Sequence, residues 1–112
     1  MSVTIYHNPK CSKSRQTLAL LQENGVEPAI IEYLKTPPSA AELKAVLEKL
    51  GKEPRDVLRT KEAKEEGINN ELEADALIAA IVAHPRALER PIVVNGDRAA
   101  VGRPPESVLD II

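Results

Sequence analysis

Val3-Thr4-Ile5-Tyr6-His7-Asn8-Pro9-Lys10-Cys11-Ser12 opens with four β-branched or aromatic residues and then meets a turn signal at His7-Asn8-Pro9. Residues 3–6 therefore read as a short strand that runs into a loop. Ser12 to Asn24 holds neither Gly nor Pro, is rich in Leu, and is followed by Gly25. That pattern predicts a helix with a glycine stop, with Leu18 and Leu21 facing the core. Ile30-Ile31-Glu32-Tyr33 is the next β-rich run. The interval between the two strands is long enough for a parallel β-α-β crossover, which is right-handed in nearly all proteins.

Downstream, Pro37-Pro38 breaks the chain, and Ser39-Ala40-Ala41-Glu42 has the form of a capping box. Leu43, Val46, Leu47 and Leu50 follow at helical spacing, and Gly51 ends the element. Pro54 opens a short helix over 54–60. Residues 61–73 set Lys61 and Lys64 against Glu62, Glu65, Glu66, Glu71 and Glu73 with little apolar content, which reads as a solvated, loosely ordered stretch rather than an acidic partner site. Ala74, Leu77, Ile78, Ile81 and Val82 mark another helical face, closed by His84-Pro85. Pro91-Ile92-Val93-Val94 and Ala99-Ala100-Val101 flank Asn95-Gly96-Asp97-Arg98, a hairpin signal. Pro104-Pro105 opens a last helix, with Val108, Ile111 and Ile112 directed inward. The order predicts one α/β domain over residues 1–112, with a four-stranded mixed sheet and flanking helices in a thioredoxin-like fold.

Composition excludes several functional classes. Fifteen basic against seventeen acidic residues leave a net charge of −2, so no overall basic field holds nucleic acid. There is no Trp, no Phe and only two Tyr, which leaves no stacking platform for bases. No apolar run approaches the roughly 20 residues of a membrane span, and no signal peptide precedes Val3. A single Cys cannot form an internal disulfide, which points to a reducing, cytoplasmic setting.

That cysteine, Cys11, lies at the predicted start of the first helix. Lys10, Lys13 and Arg15 lie within four residues of it, and no acid occurs before Glu23. Free helix N–H groups and three cations favour thiolate over thiol and would equally bind an oxyanion. A lone Cys is often a small buried hydrophobe. Here, however, Pro-Lys-Cys-Ser-Lys-Ser-Arg is polar on both sides, the setting of a reactive thiol. Cys11-Ser12-Lys13-Ser14 lacks a second Cys, so any redox cycle needs an external thiol. His7 either ties down the turn or polarises the thiol. One Cys and two His are too few for a zinc site. His84 reads as a helix C-cap. Arg90 and Arg103 each precede a proline at the edge of an element, which suits preorganised guanidinium forks for a tetrahedral oxyanion.

Ile5-Tyr6-His7-Asn8-Pro9-Lys10-Cys11 with Ser14-Arg15, then Tyr33-Leu34, Leu58-Arg59, His84-Pro85, Arg90-Pro91-Ile92-Val93-Val94 and Gly102-Arg103-Pro104, resemble the ArsC family of glutaredoxin-dependent arsenate reductases along nearly the whole chain. Cys-Ser-x-Ser-Arg is similar to its short YfgD-type members. The resemblance implies Cys11 as nucleophile and Arg59, Arg90 and Arg103 as oxyanion-binding arginines. It implies supporting roles for His7, Ser14 and Arg15, and a cis-proline at Pro91. Arsenate or a related oxyanion, glutathione and glutaredoxin are the implied partners, with no metal and no bound cofactor. Two alternatives share the fold. One is a glutathione-linked oxidoreductase with another substrate; the other is a regulator of Spx type that binds RNA polymerase and usually carries Cys-x-x-Cys.

Overall fold

A computed structural model describes residues 2–69 and 71–112. The chain divides into two compact units, residues 1–36 with 90–112, and residues 37–89.

The first unit is built on a mixed sheet of β1 (Val3–His7), β2 (Ala29–Glu32), β3 (Ile92–Asn95) and β4 (Arg98–Val101), ordered β2-β1-β3-β4. β1 pairs parallel with β2 and antiparallel with β3, and β3 pairs antiparallel with β4. Helix α1 (Ser12–Glu23) makes the crossover between the two parallel strands. A 3₁₀ helix, Pro105–Ile111, ends the unit. Ile5 of β1 lies opposite Val93 of β3, and both are fully buried. They cluster with Leu21 of α1 and with Val108 and Ile111 of the 3₁₀ helix. Each fully buried side chain of this kind contributes roughly 1.5–3 kcal/mol, enough to fix α1 and the C-terminal turn on one sheet face. The mixed four-stranded sheet with flanking helices agrees with the sequence reading of a thioredoxin-like fold.

The boundaries differ in instructive ways. β1 runs one residue further than expected and includes His7, which is buried and pairs with Glu32. β2 begins at Ala29, and Tyr33, expected inside it, lies just past its end yet is almost fully buried. Leu18 is only half-buried against the cluster, because buried Ser14 and Thr17 share the inner face of α1 with Leu21. Ile112 is exposed rather than inward, since the 3₁₀ helix directs Val108 and Ile111 to the core instead. The hairpin loop is Gly96-Asp97, with Asn95 paired to Arg98. Gly96 takes φ +62 and no residue other than glycine has positive φ among those described, so glycine fills the first loop position, as in a II′ turn.

The second unit is helical: α2 (Ala40–Leu50), a 3₁₀ turn Pro54–Val57, α3 (Thr60–Glu65), α4 (Ala74–Ala83) and a 3₁₀ turn Pro85–Ala87. The expected capping box is present. Glu42 N–H donates to Ser39 Oγ at 3.1 Å and Ser39 N–H to Glu42 Oε1 at 3.0 Å. Leu43, Val46 and Leu47 are buried from α2, and Leu77, Ile78 and Ile81 from α4. Leu50 and Val82 are half-buried and Ala74 is exposed. His84 caps α4 as read. The stretch 61–73, read as loosely ordered, instead begins inside α3. That helix is anchored by buried Ala63 and by distant partners, with Arg86 Nη1 donating to Glu66 Oε1 at 3.0 Å. Asn70 lies outside the described residues. Among the described residues no helix is long and apolar enough to cross a membrane.

Candidate active site

Cys11 is the N-cap residue of α1, extended at φ −93 and ψ 123. Its own N–H donates to Asn8 O at 3.0 Å, closing the turn that Asn8-Pro9 announces. No side-chain cap hydrogen bond forms, and the first turn of α1 carries no acid. The amides at this helix start are therefore directed at the sulfur and the space beside it. Burial is the largest single influence on the thiol and pushes its pKa up. It is outweighed by hydrogen bonds from the Ser14 and Lys13 amides and by the hydrogen bond and charge of the Arg90 guanidinium. The pKa therefore lies below the ordinary thiol value.

Two arginines reach this sulfur from the two prolines that bound the hairpin. The Arg90–Pro91 and Arg103–Pro104 peptide bonds are both cis. Arg103 Nε donates to Arg90 O at 2.8 Å, and Arg103 Nη2 lies 3.6 Å from Cys11 Sγ. Gly102 N–H donates to Pro91 O at 2.9 Å, tying the two proline segments together. The Cys11 thiol, the amides of the first turn of α1 and the Arg90 and Arg103 guanidinium groups thus lie together, an arrangement with the chemistry to favour a thiolate and to attract an oxyanion.

Below the loop, Ser14 Oγ accepts the Asn8 N–H at 3.0 Å and shares a 2.6 Å hydrogen bond with His7 Nδ1. Both side chains are buried. Desolvation chiefly, with the charge of Arg15, outweighs the opposing charge of Glu32 and holds the His7 imidazole pKa below its ordinary value. His7 is therefore neutral at pH 7 and acts on the loop through a hydrogen bond rather than through charge. Arg15 Nη1 donates to Pro9 O at 3.1 Å, bracing the same loop from outside.

Cys11, Arg90, Arg103, His7, Ser14, Arg15 and Pro91 are thus all in the first unit, around one loop. Arg59 belongs to the second unit, as N-cap of α3. There its Nε donates to Glu62 Oε2 at 2.8 Å and its Nη1 to Glu89 Oε1 at 3.3 Å. Thr17 escaped the sequence reading, and Gly102 entered it only within Gly102-Arg103-Pro104. Thr17 is fully buried, with its Oγ1 donating to Lys13 O at 2.8 Å, and Gly102 is buried beside it. The one sequence signal was their small size next to chemistry-bearing segments. Among the described residues no group of three or more His, Cys, Asp or Glu could hold a metal ion.

Comparison with known proteins gives a consistent result. The model of the ArsC family matches residues 6–111. The chain is 51% identical over 114 residues to YfgD of Escherichia coli strain K12, covering 98% of this chain and 96% of that one. It is 48% identical to an arsenate reductase of Haemophilus influenzae over the whole of both chains. It also superposes on the solved structure of an arsenate reductase from Vibrio cholerae with a TM-score of 0.93 at 52% identity, covering 100% of this chain and 98% of that one.

Proposed function

Since the chain belongs to the ArsC family, we propose that it is an arsenate reductase that works through a single cysteine and draws its reducing equivalents from glutathione and glutaredoxin. The observation that carries the reading is the Cys11 sulfur at a helix N-terminus, 3.6 Å from the Arg103 guanidinium and with its pKa lowered. Relatives at 48–52% identity that are named arsenate reductases support the substrate.

In the proposed sequence the Arg90 and Arg103 forks and the helix amides seat arsenate, and Cys11 thiolate attacks arsenic. An As(V)–S bond forms as one As–O bond breaks, and the departing hydroxyl takes a proton from solvent and leaves as water. Glutathione thiolate then attacks the Cys11 sulfur. The new S–S bond forms as the S–As bond breaks, and its electron pair stays on arsenic, which leaves as arsenite, As(III). A glutaredoxin thiolate attacks the glutathione sulfur of that mixed disulfide and frees Cys11 as thiolate. With one cysteine in the chain, the second and third thiols come from outside. Arg59 is the third proposed oxyanion-binding residue, on the family resemblance of Leu58-Arg59. A reducing, cytoplasmic setting suits this chemistry.

The test is NADPH consumption by the purified protein with glutathione, glutaredoxin and glutathione reductase, with and without arsenate. Arsenate-dependent turnover is expected, lost in Cys11→Ser because a hydroxyl is a far weaker nucleophile at neutral pH. It should also vanish when glutathione is withheld. A folded protein with a low-pKa thiol and no arsenate-dependent turnover overturns the assignment of substrate.

A further inference from the structure

We infer that Gly102 is a positioning residue whose missing side chain sets how closely α1 and Cys11 approach Arg90 and Arg103. The backbone does not demand glycine here, because Gly102 is absent from the glycines with positive φ. Space demands it. A Cβ at 102 would lie 2.5 Å from Thr17 Oγ1, 3.0 Å from Thr17 Cγ2 and 2.8 Å from Pro91 Cγ. The other four glycines have nothing within 4 Å of such a Cβ. Thr17 cannot easily withdraw, since it is fully buried and its hydroxyl is bonded to Lys13 O on the first turn of α1. Pro91 is a rigid ring on the far side, bonded through its carbonyl to Gly102 N–H.

The consequence is mechanical. Thr17 stands on the same helix as Cys11, six residues on. Gly102 and Pro91 are the immediate chain neighbours of Arg103 and Arg90. A methyl group at 102 therefore wedges the helix carrying the sulfur away from the two segments carrying the guanidinium groups. Interiors are close-packed, so the wedge is taken up as displacement rather than absorbed.

This inference rests on the proposed anion site, and its test does not need arsenate turnover. The thiolate absorbance of Cys11 is titrated against pH, with and without sulfate, in wild type, Gly102→Ala, Thr17→Ala and the double variant. Gly102→Ala is expected to titrate at higher pH than wild type, and sulfate is expected to bind on the order of ten- to a hundredfold more weakly, as follows from a misplacement of the order of 1 Å. Thr17→Ala removes two of the three close contacts, so the methyl at 102 should have a smaller effect in that background. A folded Gly102→Ala with the wild-type titration and sulfate response overturns the inference. If Gly102→Ala does not fold, the double variant is compared with Thr17→Ala, where the Pro91 contact remains. A higher thiol titration in the double variant supports the positioning role, and identical titrations overturn it. A wild-type thiol indifferent to sulfate would instead remove the anion site itself.

Discussion

Arg103 is used from two directions. Its Nε holds the Arg90 carbonyl while its Nη2 faces the Cys11 sulfur, a division of labour that a planar fork permits and an ammonium does not. Arg103→Lys keeps the charge but cannot serve both partners, whereas Arg90→Lys leaves the tie to its own carbonyl intact. Both variants should raise the arsenate KM by about tenfold or more and lower kcat, because each takes a guanidinium fork from beside the thiol. Steady-state kinetics of the two proteins check this, and wild-type constants in both would remove the arginines from the anion site. The thiol itself carries a pH signature. Its folded pKa is depressed, so the rate of Cys11 alkylation should rise and level off at a pH below that of a free thiol near about 8.5. Alkylation that climbs like that of glutathione would show no activation.

Among the elements, the β1–loop–α1 unit is held by two buried polar side chains, His7 and Ser14. His7 has a folded pKa below its unfolded value of about 6.5, so the unfolded chain binds its proton first as pH falls. Stability should therefore decline from about pH 6.5 down through the lowered folded pKa, below which the full cost is present. His7→Gln removes this contribution. Its urea midpoint should fall less between pH 7 and pH 5 than that of wild type, and parallel curves would contradict a buried neutral imidazole. The same pair shows the limit of sequence reading. Helix α2 was legible because its cap, its apolar spacing and its glycine stop are all local. Ser14 and Thr17 on α1 look like surface residues in a polar-apolar pattern, and only the three-dimensional approach of β1 and Gly102 reveals them as interior. Helix α3 was missed for the converse reason. One buried alanine gives no periodicity, and its stabilising partners lie on distant segments of the chain.

For the whole molecule, a net charge of −2 coexists with a site whose nearest ionisable neighbours in sequence are all cationic. The charge total gives no reason to expect a nucleic-acid partner and says nothing about where the cations converge. That information lay in the placement of two arginines before prolines, far from Cys11 in sequence. The fold class was legible from element order alone. The distances within the site were not, because hairpin, 3₁₀ helix and α1 fix them jointly through shared burial of Ile5, Leu21, Val93 and Val108. Arg59 illustrates the remainder. Its type and its neighbour Leu58 were readable, but its carboxylate partners Glu62 and Glu89 were not.

The start of α1 breaks the usual rules of helix capping, with a cysteine at the cap, no acid in the first turn and Lys13 and Arg15 set against the dipole. Thermodynamic linkage turns that defect into a gauge. An anion that binds the folded chain and not the unfolded one adds RT ln(1 + [L]/Kd) to stability, about 2.7 kcal/mol at a hundred times Kd. Low concentrations of sulfate should therefore raise Tm by several degrees in a saturable manner, and the rise should shrink in Arg103→Lys. A rise that is linear and equal in both proteins would be the general salting effect of sulfate. Heat resistance in this protein would then serve as a direct meter of how full the proposed anion site is.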